Sequence, residues 1–196
     1  YIIIFIMEEK VYKLCLVGDS GVGKSSILKR YIHNTFSQYT DSTIGAQYFS
    51  KLLDYKDIKV KLQLWDTAGQ ERYRSLVSMY YRNCNAVILI ADVTNIMSLN
   101  NIFYWVNELN ASIENTPIFL VLNKIDEIHT NQEIFQEIIK RYEKYNITLV
   151  SAKTNTNINE LFEKIIDKIY DKPYLNYKPT NKITLYQKVQ PQDRCC

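Results

Sequence analysis

Short apolar runs alternate with helical stripes along most of this chain. Residues 11–17 read as a strand, and 24–34 as a helix that opens directly after a glycine-rich turn. Segments 48–53 and 59–65 read as two strands joined by a short turn at 54–57, and a helix follows near 72–83. Residues 86–92 are continuously apolar, the pattern of a strand covered on both faces. Over 98–115, Leu99, Ile102, Phe103, Val106, Leu109 and Ile113 recur at helical spacing and predict one buried stripe. Pro117 opens a strand at 118–122, and Ile134, Phe135, Ile138, Ile139 and Tyr142 mark another helix. A last strand at 147–150 precedes a closing helix carried by Ile158, Leu161, Phe162, Ile165, Ile166 and Ile169. Strands alternating with helices predict an α/β fold, a mainly parallel sheet with helices on both faces. Such sheets place ligands at the carboxyl ends of their strands.

The length of 196 residues suits one such domain with a full core. The pattern divides the chain into an extension at 1–10, a folded body at 11–170 and a tail at 171–196 punctuated by Pro173, Pro179 and Pro191. Only 5 glycines occur, against roughly 14 at average usage. Gly18, Gly21, Gly23, Gly45 and Gly69 all fall in segments that carry candidate chemistry. The net charge of +3 resides in the tail, where Lys172, Lys178, Lys182, Lys188 and Arg194 outnumber Asp171 and Asp193. A neutral body lacks the concentrated basic face of a nucleic-acid binder. A mildly basic end suits proximity to anionic lipid.

At the other end, Tyr1-Ile2-Ile3-Ile4-Phe5-Ile6 precedes Met7. These six residues read either as lying upstream of a start at Met7 or as a short extra strand or arm. They are too few to span a bilayer, and the body is expected in the cytosol. Cys15 and Cys84 sit in apolar surroundings and read as reduced core thiols.

The chemistry begins with Gly18-Asp19-Ser20-Gly21-Val22-Gly23-Lys24-Ser25, a G-x-x-x-x-G-K-S phosphate loop between a strand and a helix. Its backbone N–H groups and the helix N-terminus favour an anion. Lys24 is expected on the β- and γ-phosphates, and the Ser25 hydroxyl, with Ser26 beside it, near magnesium. The loop alone does not separate ATP from GTP. Asn123-Lys124-Ile125-Asp126, at the end of a strand, resembles the base-recognition motif of the Ras-like GTPases, which implies that the Asp126 carboxylate accepts the paired N1–H and N2–H₂ donors of guanine, donors that adenine lacks.

At this point the chain resembles the Ras-like GTPases, with their N-K-x-D motif, a S-A-K motif at Ser151-Ala152-Lys153, and a D-T-A-G-Q motif at Asp66-Thr67-Ala68-Gly69-Gln70. The resemblance implies a six-stranded, mostly parallel sheet and slow hydrolysis of GTP with Mg²⁺. It implies that the Ala152 N–H meets guanine O6 and that Asp66 holds the ion with Ser25 and Thr43. It further implies that Gly69 approaches the γ-phosphate and that Gln70 orients the attacking water, with Lys24 and Thr43 as the other catalytic groups. Phe36 fits either the aromatic beside the base or an ordinary core position. No obvious catalytic arginine sits in the switch segments to stabilise charge in cis, so intrinsic turnover is expected to be slow and an activating protein to accelerate it.

Ile44-Gly45-Ala46-Gln47-Tyr48, Lys61-Leu62-Gln63-Leu64-Trp65, Arg72-Tyr73-Arg74-Ser75-Leu76 and Tyr80-Tyr81-Arg82 narrow the resemblance to Rabs, over about residues 11–170. Tyr48 stands where that family usually has Phe, and Asn83-Cys84 where Gly-Ala is usual. By this resemblance Tyr48, Trp65 and Tyr73 form the aromatic triad read by effectors, and the terminal Cys195-Cys196 pair accepts two geranylgeranyl groups. The partners implied are guanine nucleotide, an exchange factor, an activating protein, effectors and a prenyl chaperone. The protein is implied to act as a monomer that cycles between cytosol and the cytoplasmic face of an intracellular, by preference endosomal, membrane. A phosphate-loop kinase or ATPase, and a nucleotide-locked scaffold without turnover, are the rival readings. Asn123 to Asp126 speaks against the first and Gln70 against the second.

Overall fold

Six strands, β1 (Glu9–Val17), β2 (Ala46–Tyr55), β3 (Ile58–Thr67), β4 (Ala86–Asp92), β5 (Ile118–Asn123) and β6 (Thr148–Leu149), form one sheet in the order β2-β3-β1-β4-β5-β6. The β2–β3 pair is antiparallel and every other pair is parallel, as the resemblance implied. Helices α1 (Lys24–His33), α2 (Arg74–Tyr81), α3 (Ile96–Ser112), α4 (Gln132–Tyr142) and α5 (Ile158–Ile169) surround it. The computed structural model describes residues 9–39, 41–70, 74–127 and 132–170. The first eight residues, Arg72, Tyr73 and the tail with Cys195 and Cys196 lie outside the described residues.

The continuous apolar strands serve two cores at once. Along β1, Tyr12, Leu14 and Leu16 face one core, and Cys15 and Val17 the other. In β4, Ile88 and Ile90 alternate in the same way with Val87, Leu89 and Ala91. Side chains of a strand point to opposite faces in turn, so a run buried on both sides needs no polar alternation. Helices α1 and α5 cover the first face, with Ile27, Leu28, Leu161 and Phe162 packed inward. Helix α3 and parts of α2 and α4 cover the second.

Helix α5 buries the six apolar residues whose spacing predicted it. Helix α3 departs from expectation. It starts at Ile96, because the Asn95 side chain caps it by accepting from the N–H groups of Met97 and Ser98. Phe103, expected in the buried stripe, is 54% exposed and stands edge-on to Tyr104. Trp105 is buried in its place, 4% exposed. One residue is about 100° of helix, and Phe103 falls just beyond the face that Leu99, Ile102, Val106 and Leu109 turn to the sheet. The β2–β3 connection is tighter than the expected 54–57 turn. It turns on Lys56 and Asp57 alone, both at positive φ (46° and 64°).

Register brings the strand ends together. Leu16 pairs with Asp66, and Asp92 with Asn123, so the segments after β1, β3, β4 and β5 emerge on one rim of the sheet.

Candidate nucleotide and magnesium site

That rim carries a cavity of about 340 Å³ lined from Ser20 and Lys24 at one end to Asp126 and Lys153 at the other. The phosphate-loop end is built by α1. Its N-cap, Gly23, has φ 97°, and no side chain caps the helix, so first-turn N–H groups face the cavity without a capping oxygen. A Cβ on Gly23 would lie 2.3 Å from Asn123 Nδ2, which explains the glycine by close approach as well as by φ. Lys24 is 6% exposed, and its ammonium donates to the carbonyls of Gly18 at 2.9 Å and Asp19 at 2.7 Å. Burial lowers its pKa to about 8, against the opposing pull of the Asp66 and Asp19 carboxylates.

Beside Lys24, three oxygen-bearing side chains converge from separate elements. Ser25 Oγ donates to Asp66 Oδ2 at 2.5 Å and lies 3.0 Å from Thr43 Oγ1, which is itself 3.4 Å from Asp66 Oδ2. Asp66 is fully buried, and its Oδ1 has no hydrogen-bond partner among the described residues. Burial raises its pKa, while the Ser25 hydroxyl and the Lys24 ammonium pull it down. Two hydroxyls and one carboxylate are hard oxygen donors, and an orphaned carboxylate oxygen is a costly thing to bury. This donor set fits Mg²⁺ in the manner usual for that ion, with one carboxylate from the protein and other positions left to water and phosphate oxygens.

The far end holds the base motif. Asn123 is 2% exposed and acts as a brace: its Nδ2 donates to the Val22 carbonyl at 2.9 Å, and its Oδ1 accepts from the Ala152 N–H at 3.2 Å. The Ala152 N–H, expected to face the base carbonyl, is thus already engaged. Asp126 Oδ1 accepts from Ser151 Oγ at 2.5 Å, and Lys153 Nζ lies 3.6 Å from its Oδ2. Lys153 also pairs with Glu127 at 2.9 Å, and Glu127 first, then Asp126, raises its pKa. Lys124, at φ 67°, reaches back to Asp92 at 2.5 Å.

A sequence profile of the Ras family matches residues 13–171 of the chain. The chain is 38% identical to the GTP-binding protein YPT52 of Saccharomyces cerevisiae, over 82% of each chain. It is 42% identical to the Ras-related protein Rab5A of Oryza sativa subsp. japonica, over 80% of this chain and 79% of that one. With the GTP-binding protein ypt5 of Schizosaccharomyces pombe the identity is 41%, over 80% and 77%. The chain belongs to the Ras family. Its Rab-named relatives make it a Rab-type small GTPase, a GTP hydrolase that binds GTP and GDP.

Most residues that sequence reasoning assigned to the nucleotide in this Rab-type GTPase line the cavity, Ser26, Phe36, Gly69 and Lys124 among them. Val22, Asp66 and Ser151 do not; they are buried directly behind it. Gln70 stands apart. It lines a neighbouring cavity with Asp19, Asn101 and Trp105 instead of the nucleotide cavity. Gly69, just before it, packs so closely that a Cβ there would lie 2.4 Å from the Asp19 carbonyl and 2.5 Å from Lys24 Nζ. Sequence reasoning missed Asp92, whose carboxylate holds Lys124 and the N–H and hydroxyl of Thr94. The available signal was a carboxylate ending an otherwise apolar strand.

On the outer face, Tyr48 meets Trp65 edge-on at 5.3 Å, and Trp65 meets Tyr80 at 5.5 Å. Tyr73, the third member expected there, lies outside the described residues. Ile44, Leu76 and Met79 are exposed.

Proposed function

We propose that this Rab-type protein is a timed switch in vesicle-mediated, endosomal membrane traffic, with slow Mg²⁺-dependent hydrolysis that an activating protein accelerates. The observation that carries the reading is one cavity with a buried Lys24 and the Ser25–Thr43–Asp66 oxygen cluster at one end and Asp126 at the other. Lys24 and the uncapped N-terminus of α1 hold the phosphates, with Ser20, Gly21, Val22, Gly23 and Ser26 supplying backbone. Ser25, Thr43 and Asp66 would hold Mg²⁺, which would neutralise charge on the phosphates. Asp126 accepts the two guanine donors, Phe36 packs at the side of the base, and Asn123, Lys124, Ser151, Ala152 and Lys153 shape its pocket.

Thr43 and Gly69 sit in the two segments, about 36–47 and 69–79, that order around the γ-phosphate and relax after hydrolysis. Hydrolysis requires Gln70 to swing from the neighbouring cavity so that its amide orients the attacking water. Effectors read the face at Tyr48, Trp65 and Tyr73. Among the described residues no helix is long and apolar enough to cross a membrane. Geranylgeranyl groups on Cys195 and Cys196 in the 171–196 tail attach the protein to the membrane, with a prenyl chaperone carrying the monomer through the cytosol.

Single-turnover assays with radiolabelled GTP test this reading. Slow release of phosphate, lost on chelation of Mg²⁺ and unaffected by a large excess of ATP, is the expected result. Preferential turnover of ATP would overturn it in favour of a phosphate-loop ATPase.

A further inference from the structure

Asp19 is a carboxylate within a loop built for phosphates, and repulsion from a di- or triphosphate makes that position costly unless its charge is directed elsewhere. The structure directs it. Trp105 Nε1 donates to Asp19 Oδ1 and Asn101 Nδ2 to Asp19 Oδ2, each at 2.8 Å, across more than 80 residues of sequence. Both donors stand on one face of α3, one turn apart. Asp19 consequently lines the neighbouring cavity with Asn101 and Trp105, and takes no part in lining the nucleotide cavity. Its main chain does the opposite work: its carbonyl accepts from the Lys24 ammonium at 2.7 Å, on the phosphate side.

We propose that Asn101 and Trp105 are positioning residues for nucleotide binding, which hold the Asp19 carboxylate away from the phosphates. The inference rests on the nucleotide site proposed above. Both donors are neutral, so they fix the direction of the negative charge without adding a cation that would compete with Lys24 or the metal. Trp105 is buried at 4% exposure, which makes its N–H a rigid anchor, whereas Asn101 is half-buried and free to be changed at small structural cost. The tether also fixes the floor of the cavity in which Gln70 sits, since Gly69 lies against the Asp19 peptide.

The test is a mutant cycle on the full chain, with affinities for GDP measured by displacement of a fluorescent GDP analogue. Asn101→Ala and Trp105→Phe are each made with Asp19 present and in an Asp19→Ala background. With Asp19 present, each substitution is expected to weaken GDP binding about 5- to 10-fold, the effect of one charge moving a few ångströms nearer to phosphate at a surface-like dielectric. In the Asp19→Ala background the same substitutions are expected to change affinity by less than about twofold, because no charge remains to be misdirected. Equal losses in both backgrounds would show a merely structural contribution and overturn the inference, as would no loss with Asp19 present. Should Trp105→Phe fail to fold, Asn101→Ala decides alone. A wild-type chain that binds no guanine nucleotide at all would instead overturn the site assignment and this inference with it.

Discussion

Asp126 gives the sharpest test at the level of single residues. One of its oxygens already accepts from Ser151, so each oxygen has a defined direction and the guanine donors meet a fixed acceptor pair. Replacing Asp126 by Asn turns one acceptor into a donor that faces guanine N2–H₂, and GTP affinity should fall roughly 10²–10⁴-fold. Xanthosine triphosphate, with a carbonyl at that position, should then outcompete GTP in direct competition. Ser25→Asn should act at the opposite end: a hydroxyl is lost from the Ser25–Thr43–Asp66 cluster, and separate GTP and GDP titrations should show a shift toward GDP, whose binding depends less on the ion. Gln70→Leu should leave GTP binding within about twofold, since Gln70 does not line the nucleotide cavity, yet cut activator-stimulated turnover by more than roughly tenfold.

At the scale of elements, α3 separates what the sequence reveals from what only packing decides. Substituting Phe103 by Ser should change stability by less than about 0.5 kcal/mol in chemical denaturation, because the ring is already 54% exposed. Helical spacing alone would have forecast a large core loss there. The strands, their order of polarity and the sixfold stripe of α5 were legible because each is set by local periodicity, which neighbouring residues record directly. The phosphate loop, Asn123 to Asp126 and Ser151 to Lys153 were legible because their chemistry is contained in a few consecutive residues. Trp105 was not, since the apolar cluster that buries it and the Asp19 oxygen its N–H meets are assembled from residues distant in sequence. The Lys124–Asp92 pair and the brace made by Asn123 were hidden for the same reason, as both arise from strand register. The position of Gln70 was hidden too, because its neighbours in the second cavity, Asn101 and Trp105, come from α3, remote in sequence.

For the whole molecule, changing Cys195 and Cys196 to Ser should move the endogenous protein from membrane to soluble fractions and leave nucleotide affinity unchanged, as fractionation and GDP titration would show. The folded body ends in the described residues at Tyr170, whose carbonyl accepts from Tyr12 beneath the sheet, on the side remote from the nucleotide rim. Within that body Asn123 fastens two shelves together, one carrying phosphate and the other carrying base, through Val22 and Ala152. Each shelf makes one hydrogen bond to this amide, so a partner that displaces the phosphate shelf would strain the bond to the base shelf as well.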